Sequence, residues 1–186
     1  VIEVDWGQAH TPEMVADALK NDHYDAVCVV HNETSTGVTN PIEDISAVVR
    51  EYDDTLFMVD TVSGIMGAEF RTDAWGVDVA LTSSQKAFAL PPGMALASVS
   101  DRALERAKQV KNRGYYFDFV DWDKSLQKNN TVSTPPVALM YALDKQLDDV
   151  LAETLESRWA RHLQMRDMTH QWAVSREFGL FAQEGY

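Results

Sequence analysis

A chain of 186 residues with 45% hydrophobic content is long enough to bury a core, and 29 acidic against 16 basic residues give a formal net charge of −13. That balance argues against a nucleic-acid partner, since neutralising phosphates takes clustered Lys and Arg. No apolar run is long enough to span a bilayer and no basic start leads into an apolar stretch, so the chain reads as a soluble, cytoplasmic protein.

In chain order, Val1–Asp5 opens without an initiator methionine and reads as a strand entered mid-domain, with the N-terminus cut. Thr11-Pro12-Glu13 places a capping hydroxyl before a proline at the first helical position. Ala26–Val30 reads as a buried strand in which Cys28, the single cysteine, is a small core residue; it has no disulfide partner in the chain and no zinc-like spacing to histidines. His31 has two open readings: it closes that strand and bonds to backbone, or it serves a functional site. Asn40-Pro41-Ile42-Glu43 reads as a capping box opening a second helix. Residues 56–64 read as a strand delivering Asp60, residues 77–81 as a strand delivering Ser83, Ser84, Gln85 and Lys86, and residues 94–99 as a third strand after Pro91-Pro92-Gly93.

Ser100-Asp101 caps a helix ending near Lys111-Asn112, and Gly114 opens an aromatic-rich linking segment. From Thr134-Pro135-Pro136, with the Thr134 hydroxyl as a possible cap, one long helical stretch runs towards Phe178 and stops at Gly179. Leu139, Leu143, Leu147 and Val150 form an apolar stripe read as core. Arg158, Arg161, His162 and Arg166 share a helical face read as solvated or salt-bridged, and His10, His23 and His170 as surface residues. Strands alternating with helices predict an α/β fold, a mostly parallel sheet sandwiched by helices, with ligands beyond the carboxyl ends of the strands.

Singly, an aspartate after a strand starts a turn and a lysine after a polar run is solvated. Four ordered blocks change that weighing: His31-Asn32-Glu33-Thr34-Ser35-Thr36-Gly37-Val38, Val59-Asp60-Thr61-Val62-Ser63, Ser83-Ser84-Gln85-Lys86-Ala87 and Pro91-Pro92-Gly93. Together they resemble the class V aminotransferases of fold-type I, of the alanine-glyoxylate and serine-glyoxylate kind, which use pyridoxal 5'-phosphate. The resemblance implies a partial large domain: residues 1–150 as its central part, and 151–186 as a long helix leading to a missing C-terminal domain.

The resemblance also implies roles. Lys86 would form the Schiff base with the cofactor aldehyde and then shuttle the substrate's proton. Asp60 would pair with the pyridine nitrogen, Val62 would pack on the ring, Thr34 would bond the ring hydroxyl and Gln85 would reach the phosphate. Thr131 and Thr134 resemble positions that touch the phosphate of a partner subunit's cofactor, which implies a homodimer with shared active sites. The substrates would be an amino acid, alanine or serine, and glyoxylate or a similar 2-oxo acid, with no metal, nucleic acid or membrane involved. Cysteine desulfurases share the scaffold but usually place a histidine directly before the lysine, where this chain has Gln85. The alternative is a non-catalytic fragment with weak or no cofactor binding, because the family's glycine-rich phosphate loop, stacking aromatic and carboxylate-binding arginine have no counterpart here.

Overall fold

Short apolar runs between amphipathic helices can bury themselves only against one another, and here they join into a single sheet. The computed structural model describes residues 1–186. Strands β1 (Ala26–Val30), β2 (Leu56–Asp60), β3 (Val79–Ser83) and β4 (Ala95–Val99) lie side by side in that order. β1 and β2 are parallel, β2 and β3 are parallel, and β3 and β4 are antiparallel. A parallel neighbour demands a crossover. β1 returns to β2 through helix α2 (Ile42–Val49), and β2 reaches β3 through the turns of residues 61–78. β3 and β4 form a hairpin whose connection carries Lys86. The α/β class and mostly parallel sheet are as the residue pattern predicts.

The core lies on one face of this sheet. Helix α1 (Pro12–Asn21) starts where Thr11 accepts from the Met14 N–H, and it buries Val15 and Leu19, one turn apart. Helix α2 buries Ile42, Ile45, Ser46 and Val49 at helical spacing. These meet Phe57 and Val59 of β2 together with Phe70, Trp75, Val77 and Ala80. At the amino-terminal ends of the strands, Asp78 is 4% exposed and accepts from Phe57 N at 2.8 Å, Ser100 Oγ at 2.7 Å and the Arg102 guanidinium. Ser100 also caps helix α3 (Asp101–Gln109) through the Ala103 N–H.

Several expectations from the residues are corrected. Val1–Asp5 forms no strand. Asn40 does not cap α2: its amide group accepts from His10 N and donates to Val30 O, and Pro41 stands at the cap without a side-chain bond. Cys28 is exposed. It is level with Met58, on the face opposite Phe57 and Val59, and that face is not packed over β1. The segment after Gly114 contains a helix, α4 (Phe119–Leu126), opened by Asp118 accepting from Val120 N.

The single long helix is two. α5 (Val137–Glu153) ends at Thr154, whose φ of 69° no helix accommodates, and α6 (Leu155–Ser175) starts from the same Thr154 accepting from Ser157 N. Pro136, not Thr134, stands at the start of α5. Of the apolar stripe only Val150 is fully buried; Leu139, Leu143 and Leu147 are half-buried. α6 stops before Gly179 because Glu177 takes the left-handed conformation, at φ 64°, with Phe178 N donating to Ala173 O and Glu177 N to Val174 O. No helix is long and apolar enough to cross a membrane.

Candidate functional site

Three loops leave the carboxyl ends of β1, β2 and β3 together. β2 ends on Asp60, level with Val30 of β1 and Leu81 of β3. Its Oδ1 accepts from Val62 N at 2.9 Å, which turns the chain back over the strand end. Turns closed by Gly64 N and Ile65 N on Thr61 O, both 3.0 Å, and by Ala68 N on Gly64 O at 2.8 Å fix the rest of that loop. The loop after β1 is closed by Gly37 N on Glu33 O at 2.8 Å, and it holds Thr34 with its hydroxyl 2.5 Å from Ser63 Oγ.

The β3–β4 connection is built on Ser84. Its hydroxyl donates to Pro91 O at 2.7 Å and accepts from Met94 N at 3.3 Å, while Leu90 N donates to Ser84 O and Ala89 N to Lys86 O. Lys86 is thereby set in a tight turn, half-buried, beside the exposed Gln85. Val62 is half-buried and Thr34 exposed. Thr131 and Thr134 are not drawn into this group by any hydrogen bond: Thr131 Oγ1 donates to Ser133 O at 2.6 Å, and Thr134 is exposed.

His31 lies under these loops at 3% exposure, its ring centroid 5.3 Å from that of Phe70. Its backbone is engaged, with His31 N donating to Asp60 O and Asn40 N to His31 O, both 2.8 Å. The ring is not: its buried Nδ1 has no partner. Burial pushes its pKa down to about 4, so the ring stays neutral near pH 7. Gly64 packs on the ring so closely that a Cβ there would come within 2.8 Å of His31 Cγ.

One buried side chain beside these loops escapes the residue pattern. Arg158 belongs to the helical face that the sequence marks as solvated or salt-bridged, and the ion pairs are present, for Glu153 binds both Arg158 and Arg161. Yet Arg158 itself is buried, 7% exposed, and reaches the loops. Its Nη2 donates to Ala87 O at 2.6 Å and its Nε to Met66 O at 3.2 Å. The available signal was its spacing from Leu155 and His162, which puts it on the inward face of α6.

The residues fit a cofactor with a cationic ring nitrogen and an aldehyde. Asp60 and Lys86 are opposite charges on adjacent half-buried strand ends, and neither forms an ion pair. The Asp60 carboxylate holds only the Val62 N–H, so it and the Lys86 amine can each take a further partner. A group bonding the carboxylate through N–H and the amine through carbon answers both. Buried Thr82 Oγ1 and Ser83 Oγ, at the end of β3, also lack partners.

Comparison with known proteins agrees with this geometry. The family model for Aminotransferase class-V matches residues 1–178. An uncharacterized aminotransferase of Methanocaldococcus jannaschii is 42% identical over 98% of this chain and 48% of its own length. The serine–glyoxylate aminotransferase of Arabidopsis thaliana is 41% identical over 91% of this chain and 43% of its own length. The crystal structure of an alanine–glyoxylate aminotransferase from Nostoc sp. superposes with a TM-score of 0.93 at 30% identity, covering 100% of this chain and 50% of that one. The chain thus spans about half the length of the relatives it matches. With strand order, loop placement and sequence in agreement, this chain belongs to the class V aminotransferases, a pyridoxal phosphate-dependent family.

Proposed function

We propose that the chain carries the cofactor-binding core of an aminotransferase that moves an amino group from alanine or serine to glyoxylate or a similar 2-oxo acid. The observation that supports this is the placement of Asp60 at the end of β2 and Lys86 in the turn after the neighbouring β3, opposite charges with no ion pair to another side chain. When bound, pyridoxal phosphate supplies an electron-accepting ring. Lys86 would hold its aldehyde carbon and, once displaced by substrate, would carry the proton from the substrate's α-carbon to the cofactor's C4' carbon. Asp60 would accept a charge-assisted hydrogen bond from the ring nitrogen, and its Oδ1 bond from Val62 N keeps the carboxylate oriented. Val62 would pack on the ring, Thr34 would turn its hydroxyl from Ser63 to the ring hydroxyl, and Gln85 would donate to the phosphate.

Thr131 and Thr134 are proposed to reach the phosphate of a partner subunit in a homodimer. The exposed Tyr115, Phe117 and Tyr141 support an apolar interface of that kind. Residues 1–150 would form the central part of the cofactor domain, with 151–186 leading out of it. The glyoxylate-linked names of relatives support the acceptor; serine and alanine both remain as donors.

A second reading, weak or no cofactor binding by this chain alone, is favoured by the exposure of Thr34, Gln85 and Thr134. Each charge-assisted bond to a phosphate contributes roughly 1.5–3 kcal/mol, and Gln85 by itself offers few. One experiment separates the readings. Pyridoxal phosphate is added, borohydride fixes any adduct, and the labelled residue is mapped beside a Lys86→Ala control. Label confined to Lys86 and lost in the control is expected; scattered label or none refutes the site for this chain.

A further inference from the structure

We propose that Arg158 is a positioning residue that holds the Lys86 turn and the Asp60 loop in fixed relation to each other. The inference rests on the site proposed above. Those two loops leave different strands, and each is closed by its own backbone bonds. Between them the guanidinium acts as a fork, with Nη2 on Ala87 O, the carbonyl next to Lys86, and Nε on Met66 O in the Asp60 loop. Neither carbonyl accepts a backbone hydrogen bond, so Arg158 is their donor. Met66 has a φ of 71°, outside the comfortable range of an unbranched L-residue, and its carbonyl is turned to the fork.

The fork is itself held. Glu153 Oε2 accepts from Arg158 Nη1 at 3.1 Å, and Arg161 clasps both Glu153 oxygens at 2.6 and 3.0 Å. His162 Nδ1 lies 2.8 Å from Arg158 O, and a Cβ built at Gly67 would touch Ala87 Cβ and His162 Cδ2, both at 3.6 Å, so the two loops and α6 converge at that point. A planar fork with donors in fixed directions can span two carbonyls; a lysine ammonium on a flexible stem cannot hold the same geometry. α6 has a separate anchor. Arg71 pairs with Glu156 and sits 5.1 Å over the Trp159 ring. Loss of Arg158 therefore loosens the loops without releasing the helix.

The test compares Arg158→Ala, Arg158→Lys and Arg71→Ala in the intact protein. Hydrogen exchange on the cofactor-free protein reads the bridge directly, whether or not cofactor binds. Arg158→Ala should speed exchange about tenfold at the Gly67 and Ala68 amides and at the Ala89 and Leu90 amides together, and Arg71→Ala should leave Ala89 and Leu90 unchanged. With pyridoxal phosphate bound, Arg158→Ala should lower kcat by ~10–100-fold with KM for the amino donor within threefold, the signature of misplaced rather than missing groups, and Arg158→Lys should fall between it and wild type. If Arg158→Ala does not fold, Arg158→Lys carries both readouts, with a smaller acceleration in both loops. Exchange that changes in one loop or neither, or kcat that falls equally in Arg71→Ala, overturns the proposal. A wild-type protein that takes no label at Lys86 overturns the proposed function alone, and the exchange result still decides the bridge.

Discussion

Asp78→Ala is expected to cost the protein a large share of its stability without touching the proposed site. Three groups would lose an acceptor. The Phe57 N–H is buried under a residue 1% exposed and has no route to water, so its loss costs about 1–3 kcal/mol. The Ser100 hydroxyl can turn to solvent while still capping α3, and its loss costs about 0.5 kcal/mol. The Arg102 side chain is 44% exposed and keeps bonds to Asp53 O and Thr55 O, so the lost ion pair is screened and contributes at most about 1 kcal/mol. The sum, about 2–4 kcal/mol, corresponds to a fall in Tm of roughly 4–16 °C for a domain of this size. Thermal melts of wild type, Asp78→Ala and Asp78→Asn at pH 7 measure it, with Asn expected in between because its carbonyl can still accept from Phe57 N. Burial raises the Asp78 pKa, but the hydrogen bonds from Arg102, Phe57 N and Ser100 outweigh it and leave the pKa below the ordinary aspartate value. The carboxylate thus contributes stability above the unfolded pKa of 3.8, and that stability is lost as pH falls through the lower folded value. An alanine variant melting within 1 °C of wild type would refute the reasoning.

Two further predictions concern the loops around His31. Gly64→Ala places a methyl against a ring that has nowhere to move, so either His31 or the Asp60 loop shifts, at about 1–3 kcal/mol; a melt unchanged from wild type together with undiminished labelling of Lys86 would show that the loop absorbs the methyl freely. For His31 the folded pKa of about 4 lies below the ordinary 6.5, so the unfolded chain binds the extra proton first and stability declines as pH drops from about 6.5 to about 4, by about 3 kcal/mol. Because the ring makes no hydrogen bond, His31→Leu should keep the fold and flatten the dependence of Tm on pH in that window; an unchanged slope would place the acid sensitivity elsewhere.

The parts of the fold legible in the sequence are those governed by local chemistry. The Thr11-Pro12 and Ser100-Asp101 starts, the four apolar strands and the delivery of Asp60 and Lys86 to strand ends each rest on a side chain acting within a few residues of itself. What was illegible depends on distant partners. Asn40 has the composition of a cap, but the carbonyl of Val30 and the amide of His10 compete for it and win. Cys28 alternates correctly, yet the face it lands on is open. Arg158 reads as one charge among several, and only the arrival of Ala87 and Met66 from elsewhere in the chain makes it a buried fork.

The two ends of the sheet are built to opposite specifications, and this contrast bears on where function sits. At the amino-terminal ends of β2 and β3 the buried charge, Asp78, is met by four donors, three on the Ser100 and Arg102 side chains and one on the Phe57 backbone. At the carboxyl ends the reverse holds: His31 Nδ1, Thr82 Oγ1 and Ser83 Oγ are buried without partners, Asp60 is met by the Val62 N–H alone, and Asp60 and Lys86 form no ion pair. Buried polar groups are seldom left unsatisfied, and a cluster of them at one edge is a cost the fold must recover elsewhere. The satisfied end offsets it. Backbone turns, the Ser84 hydroxyl and the Arg158 fork keep the costly end rigid although its polar groups are unmatched, so a ligand that supplies the missing partners meets groups already in place.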